Sequence, residues 1–131
     1  MRPLAVFLLG VAIVFGLLAA AIVLTRPNER VFVVVDTSFP MREVWEQVPR
    51  VLETIEDEGY AEVALATEKD LVHSWQERFR LRAVTPYAPC DFADVETYDE
   101  AAEADAKVLI TTSASCATEA LAGWEVRTLD P

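Results

Sequence analysis

One histidine and two cysteines are too few ligands for a Cys/His zinc site. The cysteines, Cys90 and Cys116, do not stand in Cys-x-x-Cys spacing, which argues against a thioredoxin-like redox motif. Bases are scarce: 11 against 22 acids, a formal charge of −11. A surface of that sign repels phosphate backbones and excludes a sequence-neutral nucleic-acid binder. There is no Gly-x-Ser-x-Gly nucleophile elbow, no internal repeat, no low-complexity tract and no long flexible stalk. With 131 residues the chain has room for one aqueous domain and not for several.

What the sequence does have is one long hydrophobic run. Leu4 to Leu24 is 21 residues without a polar side chain. At ~1.5 Å per residue it spans roughly 31 Å, the thickness of a bilayer's hydrocarbon core. A cleaved signal peptide would have a shorter apolar stretch ending at a small-x-small site. Ala19-Ala20-Ala21 mimics that site, but Ile22-Val23-Leu24 continue the run beyond it, so residues 1–24 are expected to remain as a transmembrane anchor. Ala12, Gly16 and Ala20 form a stripe of small residues that would let a second helix approach closely. Arg2 precedes the run and Arg26 and Arg30 follow it, so the positive-inside rule leaves the orientation nearly balanced.

Residues 25–30 read as a short polar linker, and residues 31–131 as the aqueous domain. Without the first 24 residues the chain holds 22 acids and 10 bases, a net −12. Val31-Phe32-Val33-Val34-Val35 is a continuous apolar run and predicts a strand buried on both faces. Asp36-Thr37-Ser38 follows, with Ser38 placed to cap a helix. Val44, Val48, Val51, Leu52 and Ile55 share a helical face, and Gly59 ends that helix. Pro49 requires either a kink or a break into two segments with proline in a first turn. Ala61–Thr67 predicts a second strand, and Phe79, Leu81 and Ala83 alternate with Arg78, Arg80 and Arg82 as in a half-exposed third strand, to which Leu71–Trp75 could pair. Phe92, Val95, Tyr98 and Ala102 recur at helical spacing in an acidic segment. Lys107–Thr112 and Trp124–Leu129 predict further strands, with a short helix from Cys116 to Ala122 between them, capped by Ser115 and closed by Gly123.

Strands alternating with helices predict a small three-layer α/β domain with a mainly parallel sheet behind one N-terminal transmembrane helix. Right-handed crossovers place the second strand and the 108–112 strand on opposite sides of the first. The first strand then lies at the topological switch point, beyond whose carboxyl end such folds bind ligands. Asp36, Ser38, Thr112 and Ser113 are expected to converge there.

Val31–Asp36-Thr37-Ser38, the helix after it, the strand Ala61–Thr67 and Val108-Leu109-Ile110-Thr111-Thr112 together resemble the von Willebrand factor A-like fold over most of residues 31–129. The resemblance implies an Mg²⁺ site built on Asp-x-Ser-x-Ser, a later Thr and an Asp after the fourth strand. Asp36 and Ser38 match the first two positions. Pro40 replaces the second Ser, Thr112 stands near the expected Asp, and no Gly-Thr loop is visible around Pro86–Cys90. Mg²⁺ is usually held by one or two carboxylates in near-octahedral oxygen geometry. The expectation is therefore a vestigial switch-point site that binds no metal and no other cofactor, with Asp36 and Ser38 capping the first helix and holding the loop.

Catalysis finds little support. A phosphoryl-accepting aspartate of haloacid-dehalogenase type needs a second Asp where Ser38 stands, and the one histidine available as a base is His73. Cys90 and Cys116 each follow a predicted strand at one edge of the sheet, so a disulfide is geometrically feasible. It would close a loop of 25 residues and stabilise by roughly 3–4 kcal/mol. Such a bridge belongs outside the cytoplasm, which would place the aqueous domain on the periplasmic or extracytoplasmic side of a plasma (inner) membrane. The exposed Arg78, Arg80 and Arg82 could meet an acidic partner or anionic headgroups, and the acids of Asp91–Asp105 a basic one. The expected function is a membrane-anchored, non-catalytic interaction module, an accessory or assembly subunit of a membrane complex, with the bilayer and other membrane-protein subunits as partners. The alternatives are a metal-dependent ligand-binding module using Asp36 and Ser38, or a small hydrolase or phosphatase at the same point.

Overall fold

The computed structural model describes residues 2–25, 29–115 and 121–131. The apolar run forms helix α1, Arg2–Thr25. It is long and apolar enough to cross a membrane, and none of its best 18-residue stretch, Pro3–Ala20, is buried inside the protein. Ala12, Gly16 and Ala20 are exposed on it.

The rest of the described chain is an α/β unit: β1 Arg30–Val35, α2 Val48–Asp57, β2 Glu62–Thr67, β3 Leu71–Gln76, α3 Asp99–Glu103, β4 Ala106–Thr112 and β5 Glu125–Leu129. The sheet order is β3-β2-β1-β4-β5. All neighbours are parallel except β3, which runs antiparallel to β2 at one edge. The central place of β1 follows from its composition. Val31, Phe32, Val33, Val34 and Val35 are all fully buried, which needs cover on both faces.

On one face Val31, Val33 and Val35 meet Met41, Val44, Val48, Leu52 and Ile55. On the other Phe32, Val34 and Leu109 meet Phe92, Val95, Ala101 and Trp124. Phe32 packs edge-on against Tyr98 and Trp124, with ring centres 5.8 and 5.9 Å away. Helical elements thus cover the sheet on both sides, in three layers.

Several local expectations are corrected. The chain after β1 does not enter an α-helix at Ser38. Two 3-10 turns, Phe39–Glu43 and Trp45–Gln47, come first. The α-helix starts at Val48, with Pro49 in its first turn, where a missing N–H costs no hydrogen bond. It ends before Gly59, whose φ of 90° suits glycine. Arg78–Ala83 is not a strand and forms no ladder with Leu71–Gln76; the Phe79 and Arg80 N–H groups donate instead to the side chains of Glu56 and His73. Phe79 and Leu81 still pack on the core while Arg78, Arg80 and Arg82 face solvent. The acidic segment gives a 3-10 turn, Val95–Thr97, and the short α3, separated by extended backbone at Tyr98. That break turns Ala101 inward and leaves Ala102 exposed. The expected helix from Cys116 falls mostly outside the described residues.

Candidate functional site at the carboxyl edge of the sheet

The carboxyl ends of β1, β2 and β4 bring three stretches of chain together around Asp36, which is fully buried. Its backbone N–H continues the β1–β4 ladder by donating to the Ile110 carbonyl at 2.9 Å. Its side chain is fully engaged. Oδ1 accepts from the Ser38 N–H at 2.7 Å, which closes a tight turn. Oδ2 accepts from the Thr111 hydroxyl at 2.6 Å and from the Ser115 hydroxyl. Ser115 Oγ also lies 3.3 Å from Ser38 Oγ.

Thr37 carries the cluster sideways to β2. Its N–H and its hydroxyl both donate to the buried Glu68 carboxylate, the N–H at 3.0 Å to Oε2. Burial pushes the Glu68 carboxyl above its ordinary value. The Asp36 charge adds to the rise, and the hydrogen bonds from Thr37 and from its own backbone oppose it. The Thr37 carbonyl in turn accepts from the Ala88 N–H at 2.9 Å, and Ser38 forms a single parallel bridge with Ala88. The 85–90 loop is thereby pinned onto the turn after β1.

Asp36 and Ser38 are thus in one place, as the sequence suggests, but with different company. Thr112 is buried and makes no side-chain contact with Asp36, and Ser113 is exposed on the rim. The ladder explains the shift. Val35 pairs with Ile110, so the next residues across, Asp36 and Thr111, lie side by side on one face, and Thr112 points to the other. Ser38 makes no side-chain cap, since its hydroxyl faces Ser115. The Ser115 hydroxyl donates to Asp36, and the helix it was expected to cap begins outside the described residues. Cys90 lies beside Ser115, Sγ to Oγ 3.8 Å. Cys116, its expected partner, lies outside the described residues.

These donors do not fit a Mg²⁺ ion. The carboxylates of Asp36 and Glu68 already accept hydrogen bonds within the chain on all their oxygens, and Pro40 supplies no hydroxyl. Among the described residues no three His, Cys, Asp or Glu groups gather as a metal cage. His73 lies on β3, where its Nε2 accepts from the Arg80 N–H at 3.1 Å. That leaves the proton on Nδ1, 2.8 Å from the Ser74 carbonyl.

Sequence reasoning did not find the outer part of the edge. Phe39 and Tyr87 are 61% and 62% exposed, and the Arg42 guanidinium lies between them, 5.1 and 5.2 Å from the ring centres. Two clefts flank this stack. One, about 380 Å³, is lined by Thr37, Lys69, Arg82, Thr85 and Tyr87 among others. The second, about 540 Å³, is lined by Phe39, Arg42, Glu43, Thr112 and Ser113 among others. The spacing of Phe39 and Arg42 was a local signal, since residues three apart eclipse in a 3-10 turn. Tyr87 arrives from 48 positions beyond Phe39 and leaves no such mark.

No family model, no curated protein and no solved structure matches the chain.

Proposed function

We propose that the protein is a membrane-anchored, non-catalytic interaction module, a degenerate von Willebrand factor A-like domain that serves as an accessory or assembly subunit of a membrane complex. One observation carries the reading. At the switch point the carboxylate that would do chemistry is consumed by three hydrogen bonds of its own chain, while two aromatic rings and an arginine stand exposed at the same edge. Aromatic residues and arginine are the types enriched in binding hot spots. A strand-order reversal at β1 supports the same location, because ligands of open α/β sheets meet the carboxyl edge there. The anchor keeps the module at a plasma membrane, with the aqueous domain on the extracytoplasmic side if Cys90 and Cys116 are bridged.

The test is a photocrosslinking residue placed at position 39 or, as a control, at the exposed Glu53 on α2, in cells producing the full chain. A discrete adduct from position 39 that co-purifies stoichiometrically in mild detergent, and none from position 53, is the expected result. Adducts from neither position, or equally from both, would count against a docking edge.

A further inference from the structure

The strap Arg78–Ala83, just beyond β3, enters no ladder. Among the described residues three hydrogen bonds tie its backbone to the rest of the domain, and all three partners are side chains. Gln76 Nε2 donates to the Arg78 carbonyl at 2.6 Å. The Phe79 N–H donates to Glu56 Oε1 on α2 at 2.7 Å, and the Arg80 N–H donates to His73 Nε2 at 3.1 Å. Phe79 and Leu81 add partly buried contacts with the core. The end of the strap, Arg82 and Ala83, lines the first cleft together with Tyr87.

We infer that His73 is a pH-sensitive latch on this strap: the unprotonated ring holds Arg78–Ala83 against β3, and protonation releases it. The inference goes beyond the docking reading and does not depend on it. His73 is the one histidine of the chain, and histidine is the side chain whose charge ordinarily changes between pH 5 and 8. A neutral imidazole carries one N–H and one lone pair, and both are used here. Nδ1 lies 2.8 Å from the Ser74 carbonyl, an acceptor only, so the proton sits there. The lone pair on Nε2 is then the acceptor for Arg80. Protonating Nε2 sets one N–H against another, and turning the ring over offers no remedy, because both nitrogens of the cation are donors. The Phe79 ring packs on the imidazole, with centres 6.2 Å apart, so the strap touches the latch through a side chain as well. The charges around the ring are of both signs. α2 brings Glu56 beyond Phe79, and the strap carries the exposed Arg78, Arg80 and Arg82. Glu77 follows β3, Lys69 and Asp70 precede it, and β2 presents the uncharged Leu65 opposite His73. The latch therefore rests on the donor and acceptor pattern and not on a one-signed field.

The experiment is hydrogen–deuterium exchange of the full chain in neutral detergent, read by mass spectrometry at about pH 7.5 and about pH 5 and corrected for the intrinsic pH dependence of exchange. Protection of the 78–83 segment should fall by about fivefold or more at the lower pH, while β1 stays protected. His73→Gln supplies an amide oxygen that accepts and does not titrate, so it should keep the strap protected at both values. His73→Phe has no acceptor and should leave the strap weakly protected at both. Glu56→Gln keeps an acceptor for Phe79 and should retain the pH response. Equal protection of the native strap at the two pH values, or a fall of the same size in His73→Gln, would overturn the proposal. A fall shared by β1 would be global unfolding and would overturn a local latch. Loss of the response in Glu56→Gln would overturn it too, by moving the sensor to the carboxylate. Crosslinking from position 39 is a separate readout, and its failure would leave the latch standing.

Discussion

Asp36 ties together donors from three places, the turn after β1, the end of β4 and Ser115. Asp36→Ala removes both acceptor oxygens, and with them three hydrogen bonds, and leaves buried donors without partners, so it should cost about 2–4 kcal/mol. Chemical denaturation of the full chain in detergent would measure this, and a loss near zero would contradict the role as a clasp. Glu68 makes a different prediction. Its folded pKa is raised above the ordinary 4.5, chiefly by burial, so the folded state binds the proton more tightly than the unfolded chain. That contribution to stability is fully present below the ordinary value and is lost as pH rises through the raised one. Relative to Glu68→Gln, the native protein should therefore gain stability as pH falls from neutral toward 4.5. A difference that stays constant with pH would refute it. Asp36 was legible because a carboxylate after a buried strand is rare enough to notice. Thr111 was missed by one residue because sequence alone does not give the register, and Ser115 because a loop residue has no periodicity to betray it.

Elements were read well where burial is complete and poorly where it is partial. The Val31–Val35 run could only be a central strand, and Val34→Asp should unfold the domain, since an unpaired charge there has no water and no partner. Loss of the cooperative unfolding transition would register it. The Arg78–Ala83 alternation misled because period two reports two different environments and not a hydrogen-bonded ladder. An extended loop with Phe79 and Leu81 turned inward shows the same pattern. The helix around Pro49 divides the two readings open to sequence. With Pro49 in a first turn, Pro49→Ala should change stability by less than about 1 kcal/mol, because no intrahelical bond is regained. In a kinked continuous helix the same change would stabilise by more than that. A thermal shift distinguishes them.

At the scale of the molecule, the central strand order β2-β1-β4 and the layers were legible from strand and helix alternation, while the places of β3 and β5 and the exposed group of Phe39, Arg42 and Tyr87 depended on tertiary folding. The anchor and the cysteines yield one joint prediction. Intact-mass measurement of the mature protein should show residues 1–24 retained, and non-reducing conditions a mass lower by two protons if Cys90 and Cys116 are bridged. A phosphatase fused after Pro131 should then be active, as an extracytoplasmic domain requires. A mature N-terminus near Ile22, free thiols or an inactive fusion would each remove one part of that arrangement.

The same strand that forms the centre of the core is also the one joined to α1 through residues 26–29. β1 pairs with β2 along six residues on one side and with β4 along five on the other, all parallel. A partner seated at the carboxyl edge and a membrane holding the amino end would pull on opposite ends of that strand. The load would run along it, and both ladders would have to slide at once instead of opening one bond at a time. Forced unfolding is governed by the unfolding rate, so under the proposed docking and anchoring this placement would make the domain resist tension, whatever its equilibrium stability.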